Sequence, residues 1–135
     1  MTAKRSGSRT LKIAAGVAIL FGLLTVLSGG RALFGNEAAR AAVGDAVPFV
    51  LWFNFIAGFA YVVAGFGLFR RHSPAVWTSI GILVTTFLVM LAFALHIAQD
   101  GAYEMRTVGA MILRIGVWAT ISFVAWKHIG QAAKV

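Results

Sequence analysis

Residues 74–96 read PAVWTSIGILVTTFLVMLAFALH, and no lysine, arginine, aspartate or glutamate interrupts them. Coiled as a helix at about 1.5 Å per residue, such a run matches a hydrocarbon core of about 30 Å. Lipid offers the backbone no water, so the stretch must satisfy its own hydrogen bonds, and a helix does so. Three further apolar runs flank it, from Leu11 to Ser28, Pro48 to Phe69 and Thr107 to Trp126. The pattern predicts an all-α integral membrane protein, an antiparallel bundle of four transmembrane helices. A basic tail (1–10) precedes a membrane domain (11–127), and a second tail (128–135) follows it.

Composition agrees: 60% of the 135 residues are hydrophobic and 12% charged, with a mean hydropathy of +0.87. These values exclude the water-soluble enzyme folds. The absence of cysteine removes disulfides, thiolate metal sites and cysteine nucleophiles. The formal charge of +8 does not point to nucleic acid, because the basic residues lie between apolar runs rather than on one solvated face. They report topology instead. Lys4, Arg5, Arg9, Lys12, Arg70, Arg71, Lys127 and Lys134 fall on one side of the four spans, and Glu37, Asp45, Asp100 and Glu104 all fall on the other, mixed with Arg31, Arg40 and Arg106. The positive-inside rule then puts both termini in the cytoplasm of a bacterial-type inner membrane. The N-terminal run lacks a small-x-small cleavage site before Arg31, which disfavours a signal peptide.

Punctuation fits the spans. Pro48 and Pro74 suit first helical turns, and Ser73 suits an N-cap. Between the first two spans, residues 36–44 (NEAARAAVG) read as a short extracytoplasmic helix with Asn36 as N-cap and Gly44 as stop. Glu37 and Arg40 stand at an i,i+3 spacing there. The segment suits either an interfacial structural helix or a lid. Small residues recur at Ala14, Ala18 and Gly22 and at Ala57, Tyr61 and Gly65, spacings that let helices pack closely in lipid.

Polar side chains inside spans carry the functional information, because lipid makes them costly. Arg114 lies seven residues past Thr107, roughly 10 Å into the fourth span. Asn54, Tyr61, His96, Glu104, Arg114 and Trp118 are grouped as a candidate ligand pocket opening outward, with Tyr103 and Arg106 at its rim. Arg114 is expected to face the interior within reach of Asn54, His96, Glu104 or Asp45. Met111, Trp118 and the guanidinium are expected to form a wall with the cation over the indole face. Two readings stay open, a structural ion pair with Glu104 or Asp45 and a site for a quinone head group or an anion. No catalytic residue is identified. His72 and His128 lie at one membrane edge among cations and His96 at the other, which leaves no metal or heme ligand pair. Trp52, Trp77 and Trp126 lie near span ends, where interfacial aromatics belong.

The segment 58–71, GFAYVVAGFGLFRR, followed by Ala75 and by a third span ending at His96, resembles the DoxX-like family of small four-helix membrane proteins. The resemblance covers about half the chain and rests on glycine spacing and one histidine. Gly65, Gly67 and His96 match as family-typical positions. Tyr61 stands where members often carry glutamate, so a carboxylate role does not transfer. The resemblance implies membrane partners of oxidoreductases, including quinone-linked thiosulfate-oxidising enzymes. The expectation is therefore a non-catalytic or quinone-binding membrane subunit of a redox complex. The alternative is small-solute or anion permeation, or lipid handling. The asymmetric charge and the lack of an acid inside a span argue against a dual-topology multidrug exporter. The third-helix motif of small fluoride channels is missing.

Overall fold

The computed structural model describes residues 2–44 and 47–130, with backbone alone for residues 2–8, 40 and 43. Its elements are α1 (Thr2–Phe34), α2 (Glu37–Val43), α3 (Pro48–Phe69), α4 (Pro74–Ala98) and α5 (Met105–Ala125), which continues into a π-helical turn, Trp126–Gly130. Helices α1, α3, α4 and α5 are long and apolar enough to cross a membrane. Their outward faces carry Leu20, Leu24, Ile56, Phe59, Val63, Phe87, Leu88, Leu91 and Phe123, all well exposed. A water-soluble bundle would bury these side chains, whereas lipid solvates them.

Local signals account for most boundaries. The Asn36 side chain accepts from the Ala39 amide at 2.9 Å, starting α2, and Gly44, at φ 59°, ends it. Pro48 and Pro74 occupy the first turns of α3 and α4, where a missing N–H costs nothing. Ser73 takes the N-cap position but caps nothing with its side chain; its φ,ψ are helical and the His72 and Ser73 carbonyls accept from Ala75 and Val76 instead. The helix α1 extends beyond the apolar run at both ends, from Thr2 to Phe34. Gly29 and Gly30 lie within it as contact points: a Cβ on Gly29 would stand 3.1 Å from the Phe55 Cβ. Glycine here permits close approach rather than ending the helix.

The tightest seam joins α1 to α3. A Cβ added to Gly22 would meet the Gly58 carbonyl oxygen at 2.7 Å, and one on Gly65 would meet the Ala15 carbonyl oxygen at 3.0 Å. Backbone therefore lies on backbone. The two faces are Ala15, Ala18, Gly22 and Gly29 against Phe55, Gly58, Tyr61 and Gly65, which include Ala18, Gly22, Tyr61 and Gly65 of the expected stripes; Ala14 and Ala57 are also buried. Helix α4 packs on α3 and α5, while α1 and α5 touch sparingly. The main core gathers Leu11, Ala18, Tyr61, Leu68, Trp118, Ala125 and Ile129, and a smaller cluster holds Val47, Val50, Phe93 and Met111. Arg71, itself at φ 56°, donates to the His128 carbonyl at 3.2 Å, tying the α3–α4 turn to the end of α5. Arg106 donates to the Ala42 carbonyl at 3.0 Å, tying α2 to the start of α5.

Candidate functional site

Arg114 is the only arginine or lysine more than about one turn from the end of a described apolar span, and the bundle builds around it. It lies nine residues into α5, and Thr25 lies nine residues before the end of α1, so both sit about 13 to 14 Å below those helix ends. Arg114 Nη1 donates to the Thr25 hydroxyl at 3.0 Å and to the Tyr61 phenol at 3.4 Å. The guanidinium carbon also stands 5.0 Å from the centre of the Phe21 ring and 5.9 Å from that of Tyr61.

Magnitudes show why no carboxylate is needed. Placing an arginine at a helix centre costs about 2.5 to 3.5 kcal/mol on insertion scales. One charge-assisted hydrogen bond returns about 1.5 to 3 kcal/mol, and a ring face about 0.5 to 2 kcal/mol. The Thr25 bond and the Phe21 face are therefore enough to offset the cost. They leave work undone, because Arg114 Nε is buried without a partner. Trp118 Nε1 and Ser122 Oγ, at successive i+4 steps down the same helix, are likewise buried and unpartnered.

The expected constellation separates into three groups. Arg114, Tyr61 and Trp118 do meet: the Tyr61 and Trp118 rings lie 4.8 Å apart and both are fully buried. The cation covers Phe21 and Tyr61 rather than the indole: the Arg114 side chain leans toward the N-terminus of α5, away from Trp118 one turn further on. Asn54, Glu104 and Arg106 form a second group lining an outer pocket of about 190 Å³ with Ser28, Leu51, Thr107 and Ala110. Asn54 Oδ1 is buried there without a partner. His96 and Tyr103 form the third. His96 Nε2 donates to the Ala102 carbonyl at 2.9 Å, its ring lies over Gly101 and faces the Phe49 edge, and Tyr103 packs on Phe93.

The expected partners of Arg114 are corrected accordingly. Its hydrogen bonds go to Thr25 and Tyr61; Glu104, ten residues up α5, is about 15 Å away along the helix, beyond an arginine's reach. His96 spends its ring nitrogen on its own connection. Asp45, the side chain of Arg40 and Lys134 lie outside the described residues. Of the other glycines in α3, Gly65 meets α1 backbone and Gly67 faces Ala75 at the α3–α4 corner. Thr25 and Phe21 were missed, since a threonine or phenylalanine in an apolar span looks like packing. Among the described residues no cluster of histidines and acids could hold a metal.

Along their seam, α1 and α5 leave a groove of about 610 Å³ open to the bundle's outside, lined by Ile13, Ala14 and Val17 of α1 and by Ile112, Leu113, Gly116, Val117, Thr120 and Val124 of α5, with Arg114 itself not in the lining. Its α5 wall runs about 18 Å at 1.5 Å per residue and passes the level of Arg114. Comparison of the chain with models of protein families, with curated proteins and with solved structures finds no match.

Proposed function

We propose that this protein is a non-catalytic, quinone-binding subunit of a bacterial-type inner membrane that supports a redox enzyme complex. The observation that carries the reading is the buried, unpartnered Arg114 Nε–H, on the helix whose Ile112, Leu113 and Gly116 line an open apolar groove between α1 and α5. A quinone joins a carbonyl acceptor to a long apolar tail, and these are the two halves the seam offers. Trp118 Nε1–H, one turn further along α5, is a second free donor. The para carbonyls of a quinone are separated by about one helical pitch, about 5.4 Å. The resemblance to DoxX-like proteins points the same way.

The test is retention of quinone through purification in mild detergent, and stabilisation by a short-tailed quinone. A ligand at a hundred times its Kd adds about 2.7 kcal/mol. Gly116→Trp fills the groove at a position where an added Cβ meets nothing within 4 Å, so retention should fall while the ligand-free melting temperature holds. Absence of both retention and stabilisation in the wild type sinks the reading. One observation favours a second reading, small-anion passage: the hydrogen-bond partners of Arg114 are neutral hydroxyls. Stabilisation by halide without quinone dependence would select it.

The arrangement that goes with this function is antiparallel, with both termini cytoplasmic and α2 extracytoplasmic. The Arg71–His128 and Arg106–Ala42 contacts support it by gathering the basic turn with the end of α5 and α2 with its start. Reporters fused at the C-terminus and inserted within residues 36–44 should report opposite compartments; a common compartment refutes the topology.

A further inference from the structure

We propose that the pocket at the α2-bearing end of the bundle is the mouth of a one-ended, hydrated inlet that leads water down to Arg114. Five of its seven lining residues are polar, Ser28, Asn54, Glu104, Arg106 and Thr107 beside Leu51 and Ala110, and they enclose about 190 Å³, room for roughly six waters at about 30 Å³ each. Each of three walls continues to the arginine centre on the same helix face. Ser28 lies three residues from Thr25, Ala110 four from Arg114, and Asn54 seven from Tyr61, the spacings at which helical side chains stack. Side chains tilt toward a helix N-terminus, so Arg114 and Tyr61 both lean toward the pocket.

Two orphaned atoms define what fills it. Asn54 Oδ1 is a buried acceptor without a donor at the pocket, and Arg114 Nε is a buried donor without an acceptor below it. A short file of water molecules serves both, since each water donates at one end and accepts at the other. The other end is closed. Below Tyr61 and Trp118 lie Leu11, Leu68, Ala125 and Ile129, all but fully buried and apolar. If the quinone reading holds, this inlet opens the head-group site to the aqueous phase on the α2 side; the inlet itself does not depend on that reading.

The chain has no cysteine, so a single introduced thiol reports water access cleanly. In membrane vesicles, a membrane-impermeant methanethiosulfonate should label Ala110→Cys from the side that labels Ala38→Cys on exposed α2, and from that side only. Ala125→Cys should stay unlabelled from either side. Arg114→Gln in the Ala110→Cys background should cut the ratio of anionic to cationic reagent rates about tenfold, since the guanidinium's field lies one turn away. Ser28→Cys repeats the assay on α1 in case the α5 variant misfolds. Ala110→Cys and Ser28→Cys both unlabelled, labelled from the opposite face, or labelled at a ratio indifferent to Arg114, overturn the inlet. No quinone enters the assay, so its outcome is separate from that of the quinone reading.

Discussion

Gly22→Ala destabilises the bundle by about 1 to 3 kcal/mol, the range for overpacking a filled site, and Gly22→Val does so by more. The new Cβ would stand 2.7 Å from the Gly58 carbonyl oxygen and 2.7 Å from Val62 Cγ2. The valine methyl can rotate away, but the carbonyl is part of α3 and cannot. The helices must separate, and in lipid no hydrophobic pull holds them together once van der Waals contact is lost. Gly16→Ala is the matched control. It lies in the same helix, an added Cβ there meets nothing within 4 Å, and glycine-to-alanine replacement in a helix ordinarily gains up to about 1 kcal/mol. Unfolding in mixed detergent should thus move in opposite directions for one chemical change at two sites. Equal shifts would show that α1 and α3 do not rest on backbone contact.

That experiment also marks where sequence reading stops. Pro48, Pro74, Asn36 and Gly44 act through the backbone within a few residues of themselves, so their roles were legible in the chain. The close approach of Gly29 and Gly30 to Phe55 was not legible, because Phe55 lies on another helix. The inward direction of Arg114 followed from its expense in lipid, and depth followed from counting residues. What counting cannot supply is which face of α1 meets α5, and so neither Thr25 nor Phe21 could be named. The outer polar residues were assigned to one pocket on shared depth, yet His96 is satisfied by the backbone of its own connection, a local solution that a span-level reading overlooks.

Whether Arg114 works or only holds the seam is decided by separating its charge from its shape. Thr25→Val leaves the guanidinium with only the longer bond to Tyr61, and a buried charged donor losing its main acceptor costs about 1 to 3 kcal/mol. That loss should appear without any ligand and should loosen the α1–α5 seam, since these two helices otherwise touch sparingly. Arg114→Lys behaves differently. The ammonium keeps the charge and can still reach a hydroxyl, but it lacks the planar fork and has no Nε–H. In a ligand site, Arg114→Lys should leave the ligand-free bundle within about 1 kcal/mol of wild type, while abolishing most of the roughly 2.7 kcal/mol that saturating quinone adds. In a purely structural site, Arg114→Lys and Thr25→Val should lose comparable stability without ligand, and quinone should shift neither variant nor the wild type. Thermal unfolding of the three proteins, with and without a short-tailed quinone, separates the cases, because the unpartnered Nε–H contributes to stability only when something accepts from it.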